Sequence, residues 1–216
     1  MKQLLLFLCL GWQLVALGQR TLLLNGVAHI GDGQVLESAA IGVVNDRIVF
    51  VKNALTQTFD PKDWDTIIQL NGQHIYPALV SANNTLGLTE IDAVRATRDF
   101  NDVGIWNPHV RAQVAFNVES RVVETVRTNG VLITQATPRG GLISGTSAIM
   151  NLSGWNWEDA TIVANDGIHV NWPSNKETYA QDKQLIYNFF QTAKAAAFDR
   201  TEPVVELRIE AMKACF

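Results

Sequence analysis

The chain has 216 residues, of which 47% are hydrophobic and 18% charged, so it contains enough apolar residues to build a buried core. This composition excludes a disordered chain, collagen and a coiled coil. The chain carries 17 Lys and Arg residues against 21 Asp and Glu, and no basic run is present to bind nucleic-acid phosphates. Two cysteines, Cys9 and Cys215, are too few for a disulfide framework or a cysteine-based metal site.

Residues 1–18 have the pattern of a secretory signal peptide. Lys2 supplies the positive charge, an apolar run follows, and Ala16-Leu17-Gly18 forms a cleavage site of the small-x-small type. A membrane anchor needs about 20 apolar residues, and Gln13 interrupts this run too early for that. We therefore expect an exported protein, periplasmic or secreted after cleavage near Gly18, with no stable membrane anchor.

Residues 19–77 are predicted to form β-structure, as the segment of a small β-sandwich. Short apolar runs recur at intervals of about ten residues and are separated by turn pairs such as Asn25-Gly26 and Asn45-Asp46. Pro77 would interrupt a central strand, so a new element is expected to begin beside it.

The hydrophobic period changes after residue 78, where a helix followed by a strand is predicted. Four valines at helical spacing define one face of that helix, which should end at Asn129-Gly130 before the buried strand 131–134. A helix followed by a short stop and an apolar strand is half of a βαβ repeat, which favours a parallel sheet. A long loop is predicted over 138–154, and two short strands over 160–163 and 168–170.

Two helices are predicted in the last part of the chain. Ser174 and Glu177 form a capping box for a long helix, and Pro203 suits the first turn of another helix. The buried stripe of the long helix is expected to contain Tyr179, Ile186, Phe190, Ala193 and Ala197, and that of the last helix Val204, Leu207, Ala211 and Ala214.

The segment 72–87, Gly-Gln-His-Ile-Tyr-Pro-Ala-Leu-Val-Ser-Ala-Asn-Asn-Thr-Leu-Gly, resembles the start of the barrel in the amidohydrolase superfamily. The resemblance is to the exported, imidazolonepropionase-like branch, whose pattern here is P-G-L-I-D-x-H-x-H-x-G. It extends through the loops 138–145 and 154–159. The resemblance implies a small β-sandwich beside a metal-binding (β/α)₈ barrel. It also implies hydrolysis of non-peptide C–N bonds, with zinc or another divalent metal in active relatives.

This chain departs from the family pattern at the metal-binding positions. Asn83 and Thr85 stand where the resemblance places the two histidines of H-x-H, which share one face of a strand and one metal. An amide and a hydroxyl are poor zinc ligands, because zinc prefers imidazole, thiolate or carboxylate. Ser81 and Ala78 replace the aspartate and first glycine of the pattern. No metal site and no cofactor are therefore expected in this chain.

The segment after Pro77 is also short for a complete barrel. It contains 139 residues, 78–216, whereas a (β/α)₈ barrel takes about 250. The fold class predicted is α/β, with residues 78–216 as the first part of a truncated amidohydrolase-like barrel. The family's remaining ligands come from later strands. Such a half barrel would need a partner chain or its missing C-terminal half to cover it.

The remaining polar residues suggest one substrate-binding candidate and no catalytic residue. Arg95 would lie on the loop above the first barrel strand, where it could hold an anionic substrate, although a solvated charged loop explains it equally well. The four histidines, His29, His74, His109 and His169, are far apart in sequence and are expected to be scattered. The hydroxyls Ser144, Thr146 and Ser147 have no nearby histidine that could activate them.

Two functional hypotheses follow from the sequence. The first is an exported amidohydrolase-like protein of an enzyme lineage, inactive as written because its metal ligands are missing. The second is a non-catalytic binding module or partner-dependent scaffold that retained the family fold. The partners considered are a small-molecule amide ligand and a partner chain or the missing C-terminal half.

Overall fold

The computed structural model describes residues 19–198 and 206–216 of the chain. The predicted signal peptide and Pro203 lie outside these residues. The chain divides into two compact units between Pro77 and Ala78. Both are built on a β-sheet, and the helices belong to the second, so the structure is of mixed α/β class. No helix in the described part of the chain is long and apolar enough to cross a membrane.

The first unit is a five-stranded sheet. Its strands are β1 Arg20–His29, β2 Val35–Val44, β3 Arg47–Asn53, β4 Thr66–Gln69 and β5 His74–Ile75. The order is β3-β2-β1-β4, with the short β5 also paired to β1. β2 runs antiparallel to β1 and β3, whereas β4 and β5 run parallel to β1. The predicted β-structure of this segment is confirmed.

Turn chemistry and a small apolar core fix the register of this first sheet. Asn45 and Asp46 both have positive φ, as the predicted two-residue hairpin turn between β2 and β3 requires. Ala28, Ala39 and Ile41 are buried together on one face. Because side chains alternate between the two faces along a strand, the residues next to these three in sequence lie on the opposite face of the sheet.

The second unit is organised around a four-stranded sheet in the order β6-β7-β8-β9. Its strands are β6 Leu79–Asn84, β7 Val131–Ala136, β8 Ile143–Asn151 and β9 Thr161–Val170. β6 and β7 are parallel, as predicted, and begin just after Pro77 and Gly130. The other two pairings of this sheet are antiparallel, so within it the predicted parallel arrangement holds for the β6–β7 pair.

Four α-helices and several 3₁₀ turns complete the described structure. The helices are α1 Arg121–Thr128, α2 Trp157–Ala160, α3 Tyr179–Phe198 and α4 Leu207–Met212. The 3₁₀ turns are Pro61–Asp63, Arg95–Thr97, Ala112–Ala115 and Lys213–Cys215.

The boundaries of α1 follow from its capping residues. The Ser120 hydroxyl accepts hydrogen bonds from the backbone N–H groups of Val122 and Val123, at 3.2 and 3.4 Å. At the other end Asn129 is the C-cap, and Gly130 adopts the left-handed conformation with φ of 89°. The predicted helix, its stop and the strand that follows are all confirmed.

Ser120→Ala is expected to lower the free energy of unfolding by about 1 kcal/mol, because the first turn of α1 loses its only side-chain cap. Urea denaturation measures this change. Thr128→Ala, which removes an exposed hydroxyl from the same helix, is the control and should change stability by less than half as much. Equal effects of the two substitutions would contradict the capping role.

The structure corrects two predictions of loops and turns in the second unit. The segment predicted as a long loop over 138–154 contains β8, nine residues of paired strand. The two short strands predicted beyond it are one continuous strand, β9, preceded by the short helix α2. Asn165, placed in the predicted turn, has φ of 53° and marks an irregularity within β9.

The last two helices differ from prediction in their start and in their buried face. α3 begins at Tyr179, where the Thr178 hydroxyl bonds to Asp182, rather than after Ser174. Ile186 and Ala193 are buried as expected, whereas Tyr179 is exposed. In α4 the buried residues are Ile209 and Met212, so the stripe predicted from Leu207 and Ala211 was wrong.

The core of the second unit packs the sheet against α1 and the loop after β6. Its buried members are Leu88, Ala112, Phe116, Val123, Ala136, Ala148, Met150, Leu152 and Ala160. Gly87 is required here, since it has φ of 77° and a Cβ at this position would lie 2.3 Å from Cε2 of Phe116. The loop leaving β6 can therefore press directly onto the core.

Candidate functional site

The end of β6 carries the residues that stand at the family's metal-binding positions. Asn83 is exposed and adopts the left-handed conformation with φ of 51°, and the β6–β7 register shifts between Ser81 and Asn84. A residue in this conformation interrupts the alternation of an extended strand. Asn83 and Thr85 are thus not related as neighbours on one face of a regular strand.

Arg139 binds Asn83 through both ends of its guanidinium group. Its Nη1 donates to Asn83 Oδ1 at 2.7 Å, and its Nη2 donates to the Asn83 backbone oxygen at 2.6 Å. The Arg139 N–H is itself anchored to the backbone oxygen of Phe100 at 2.6 Å. A planar fork held at two points in this way is a strong, charge-assisted contact.

The adjacent Asn84 holds the end of β6 to β7. Its Nδ2 donates to the Ser81 backbone oxygen, the Ser81 hydroxyl and the Thr134 hydroxyl, all within 2.9 Å. Its Oδ1 accepts from the Leu86 N–H at 2.8 Å. The Thr134 side chain is fully buried, so these bonds satisfy polar groups that water cannot reach.

A second set of bonds continues from Asn83 across β7, β8 and β9. The Asn83 N–H donates to Gln135 Oε1 at 3.0 Å, and Gln135 Nε2 donates to Asp166 Oδ2 at 2.5 Å. The Ser147 hydroxyl lies 3.3 Å from the same carboxylate oxygen. We call Asn83, Gln135, Arg139, Ser147 and Asp166 the polar network. It joins all four strands of the second sheet.

The pKa of His169 on β9 is shifted by burial and by two charged residues of this network. Burial lowers the pKa of His169, the Arg139 guanidinium lowers that pKa further, and the Asp166 carboxylate opposes both effects. The protonated imidazole is therefore disfavoured in the folded protein.

His169 should make stability depend on pH. Because its folded pKa lies below the ordinary value of 6.5, its unfavourable protonation costs nothing well above pH 6.5 and reduces stability as the pH falls through that value. The loss between about pH 7.5 and pH 5.5 is therefore expected to be smaller in His169→Gln than in the unmodified chain. Urea denaturation at both pH values measures it, and identical pH dependence would contradict the assignment.

The remaining residues predicted for the site lie apart from these contacts. Arg95 is in an exposed 3₁₀ turn, and no hydrogen bond within residues 19–198 and 206–216 joins it to Asn83. The Thr146 hydroxyl donates to the Pro108 backbone oxygen, and the Ser144 hydroxyl accepts from Asn171. These hydroxyls serve the structure of β8.

The expectation of scattered histidines was wrong for one pair. His29 Nε2 and His74 Nδ1 lie 2.9 Å apart in the first unit, although 45 residues separate them in sequence. Pairing of β1 with β5 brings them together, which local spacing cannot reveal. Within the described residues, no group of three or more His, Cys, Asp or Glu side chains is arranged to hold a metal ion.

Asp166 also borders a cavity of about 480 Å³ in the second unit. Its other ionisable lining residues are His109, Arg111, Glu210 and Cys215. Burial raises the pKa of the Cys215 thiol, which favours its neutral form. This volume falls within the range of small-molecule sites, and the lining includes both acidic and basic side chains.

One sequence feature points to the position of Arg139. Arg139 lies shortly after the end of β7 at Ala136, and β7 is the parallel neighbour of β6. The carboxyl ends of two adjacent parallel strands meet at one sheet edge, so a residue just beyond β7 can reach the end of β6.

Comparison with solved structures identifies the fold. The chain matches an amidohydrolase from Thermotoga maritima MSB8 with a TM-score of 0.74 and 19% identity, over 89% of this chain and 54% of that chain. An ochratoxinase from A. niger aligns with a TM-score of 0.29 and 21% identity over 36% of this chain and 18% of that one, too low to indicate a shared fold. No family model and no curated protein matches the chain.

The Thermotoga match confirms the predicted resemblance at the level of the fold. This chain spans about half the length of the structure it matches.

Proposed function

We propose that this chain is an amidohydrolase-like protein that does not use metal-dependent hydrolysis at the position of the family's first metal motif. In this proposal the second unit is the first part of a (β/α)₈ barrel, with β6 as its first strand and α1 leading to the parallel strand β7. The fold match and the βαβ connection of β6, α1 and β7 support it.

The contact between Arg139 and Asn83 carries the proposal. The guanidinium group places a permanent positive charge beside the residue that would provide the first metal ligand. A divalent cation there would be repelled by that charge. Both oxygens of Asn83 already accept a hydrogen bond from Arg139, so a metal ion would have to bind them beside the guanidinium charge.

The residues at this position do not fit zinc by their chemistry either. Asn83 offers a neutral amide, and Thr85 a neutral hydroxyl, in place of imidazoles. The left-handed conformation of Asn83 also disrupts the alternation that sets two side chains on one face. The positive charge of Arg139, the neutral donor groups and the backbone conformation thus all disfavour zinc at this position.

Zinc content measured after dialysis tests this proposal. The protein used is the His29→Asn/His74→Asn variant, because the imidazole pair of the first unit could retain zinc independently. We expect far less than one zinc per chain in this variant. One zinc per chain, lost again when Asn83→Ala is added, would contradict the proposal.

The second candidate is the binding module predicted as the alternative, and the cavity beside Asp166 favours it. A carboxylate and a guanidinium, Asp166 and Arg111, line one cavity and could pair with the N–H and C=O groups of a small amide. Calorimetric titration with a panel of cyclic and linear amides tests this candidate. Saturable binding that Asp166→Asn weakens would support it, and binding unaffected by that substitution would contradict it.

We further propose that the chain is exported, as the pattern of residues 1–18 predicts. Expression with this segment and amino-terminal sequencing of the product tests the proposal. A mature chain beginning at Gln19 is expected, and an uncleaved chain retained in the cytoplasm would contradict it.

A further inference from the structure

The two histidines brought together in the first unit belong to a three-residue cluster with Tyr76. His29 Nε2 lies 2.9 Å from His74 Nδ1, and the Tyr76 hydroxyl lies 3.4 Å from the same His74 nitrogen. The ring of Tyr76 stacks on that of His29, with centroids 4.2 Å apart. His29 Nε2 and the Tyr76 hydroxyl therefore both lie close to His74 Nδ1.

The sheet positions all three side chains. Val27 pairs with His74 and Ala28 with Ile75 in the parallel ladder of β1 and β5, which places His29 level with Tyr76. Alternation then puts His29, His74 and Tyr76 on the same face, opposite the buried Ala28. The backbone under the cluster is thus fixed by strand pairing.

One nitrogen of His74 is approached by two polar groups of this cluster. A neutral imidazole nitrogen without a proton offers one lone pair, and here both His29 Nε2 and the Tyr76 hydroxyl approach His74 Nδ1. If His74 Nδ1 accepts a hydrogen bond, the two donors compete for its one lone pair. If it carries the proton, that proton is shared between two acceptors. A cation bound beside His74 Nδ1 would accept electron pairs from the two imidazole nitrogens and the phenol oxygen.

The distances are close to those between ligands of one metal ion. Two donors bound to a tetrahedral ion at about 2.0–2.1 Å lie about 3.3 Å apart. The observed 3.4 Å already meets this value, and the 2.9 Å imidazole contact needs to open by only about 0.4 Å. His74 and Tyr76 are exposed, so an ion from solution can reach the cluster.

We infer that His29, His74 and Tyr76 form a binding site for a divalent transition-metal ion that prefers imidazole, such as Zn²⁺. Imidazole nitrogens suit zinc, copper and nickel, whereas Mg²⁺ prefers an all-oxygen environment. The three ligands leave the fourth coordination position of zinc to water. The site lies wholly within the first unit and is independent of the function proposed above.

Calorimetric titration of the full chain with Zn²⁺, and separately with Mg²⁺, tests the inference. We expect one zinc per chain, weakened at least about tenfold by His29→Asn and by His74→Asn, with no binding of Mg²⁺. Tyr76→Phe retains the stacked ring and should weaken zinc binding less. His169→Asn is the matched control and should leave zinc binding unchanged.

Nuclear magnetic resonance separates this site from nonspecific binding. The imidazole signals of His29 and His74 should shift together at the first equivalent of Zn²⁺, before those of His109 and His169. Circular dichroism establishes that each variant is folded. Zinc binding of equal strength in the folded His74→Asn variant, or simultaneous shifts of all four histidines, would overturn the inference.

Discussion

Asn84→Ala is expected to lower the free energy of unfolding of the second unit by about 3 kcal/mol. Asn84 supplies the hydrogen bonds that join the end of β6 to the buried Thr134 of β7. Its removal leaves the Leu86 N–H without its acceptor and the Thr134 hydroxyl with only the backbone oxygen of Ser81, and an unpaired polar group costs more than an ordinary hydrogen bond contributes. Urea denaturation followed by tryptophan fluorescence measures the loss.

Two further variants test whether that loss of stability comes from the hydrogen bonds of Asn84. Asn84→Asp retains the acceptor for Leu86 but replaces the amide donor by a charged oxygen, so it should destabilise the unit as well. Asn175→Ala removes an amide that accepts one exposed backbone hydrogen bond and should change stability by about 0.5 kcal/mol or less. A similar small effect at Asn84 would show that the network around it contributes little to stability.

Arg139→Met is expected to destabilise the second unit by about 2 kcal/mol. The methionine retains much of the apolar stem but loses both hydrogen bonds to Asn83, which a half-buried charged group makes stronger than neutral ones. The same substitution should raise the pKa of His169, because the Arg139 charge helps to lower it. Urea denaturation measures the first effect, and a titration of the His169 imidazole by nuclear magnetic resonance measures the second.

Arg139→Lys separates charge from geometry. A lysine retains the positive charge near His169 but lacks the planar fork that reaches both oxygens of Asn83. It should therefore preserve the low pKa of His169 while recovering only part of the stability. If the methionine variant left both the stability and the pKa unchanged, the structural role assigned to Arg139 would be wrong.

Local chemistry made α1 and its neighbours predictable from sequence. Valines at helical spacing and the stop at Asn129-Gly130 depend on residues within one or two turns of each other, and the structure confirms them. β8 was predicted as a loop because its own residues carry no comparable local signal. It reads Ile-Ser-Gly-Thr-Ser-Ala-Ile-Met-Asn, with a glycine and three hydroxyls, and its strand conformation depends on pairing with both β7 and β9.

The sites depend on contacts that sequence spacing does not contain. Arg139 and Asn83 are 56 residues apart, and His29 and His74 are 45 residues apart. Each pair meets through parallel strand pairing, which connects residues distant in the chain. The motif comparison identified Asn83 and Thr85 as altered metal positions, but it did not reveal which side chain occupies the space beside them.

Zinc content of the Asn83→His/Thr85→His variant tests the central claim most directly. The variant is made in the His29→Asn/His74→Asn background and dialysed against buffer containing a small excess of Zn²⁺ and then against metal-free buffer. Arg139 is unchanged in it, and its bond to the backbone oxygen of residue 83 does not depend on the side chain there, so we predict far less than one zinc per chain. One tightly bound zinc per chain would contradict the claim that Arg139 closes this position to a metal ion.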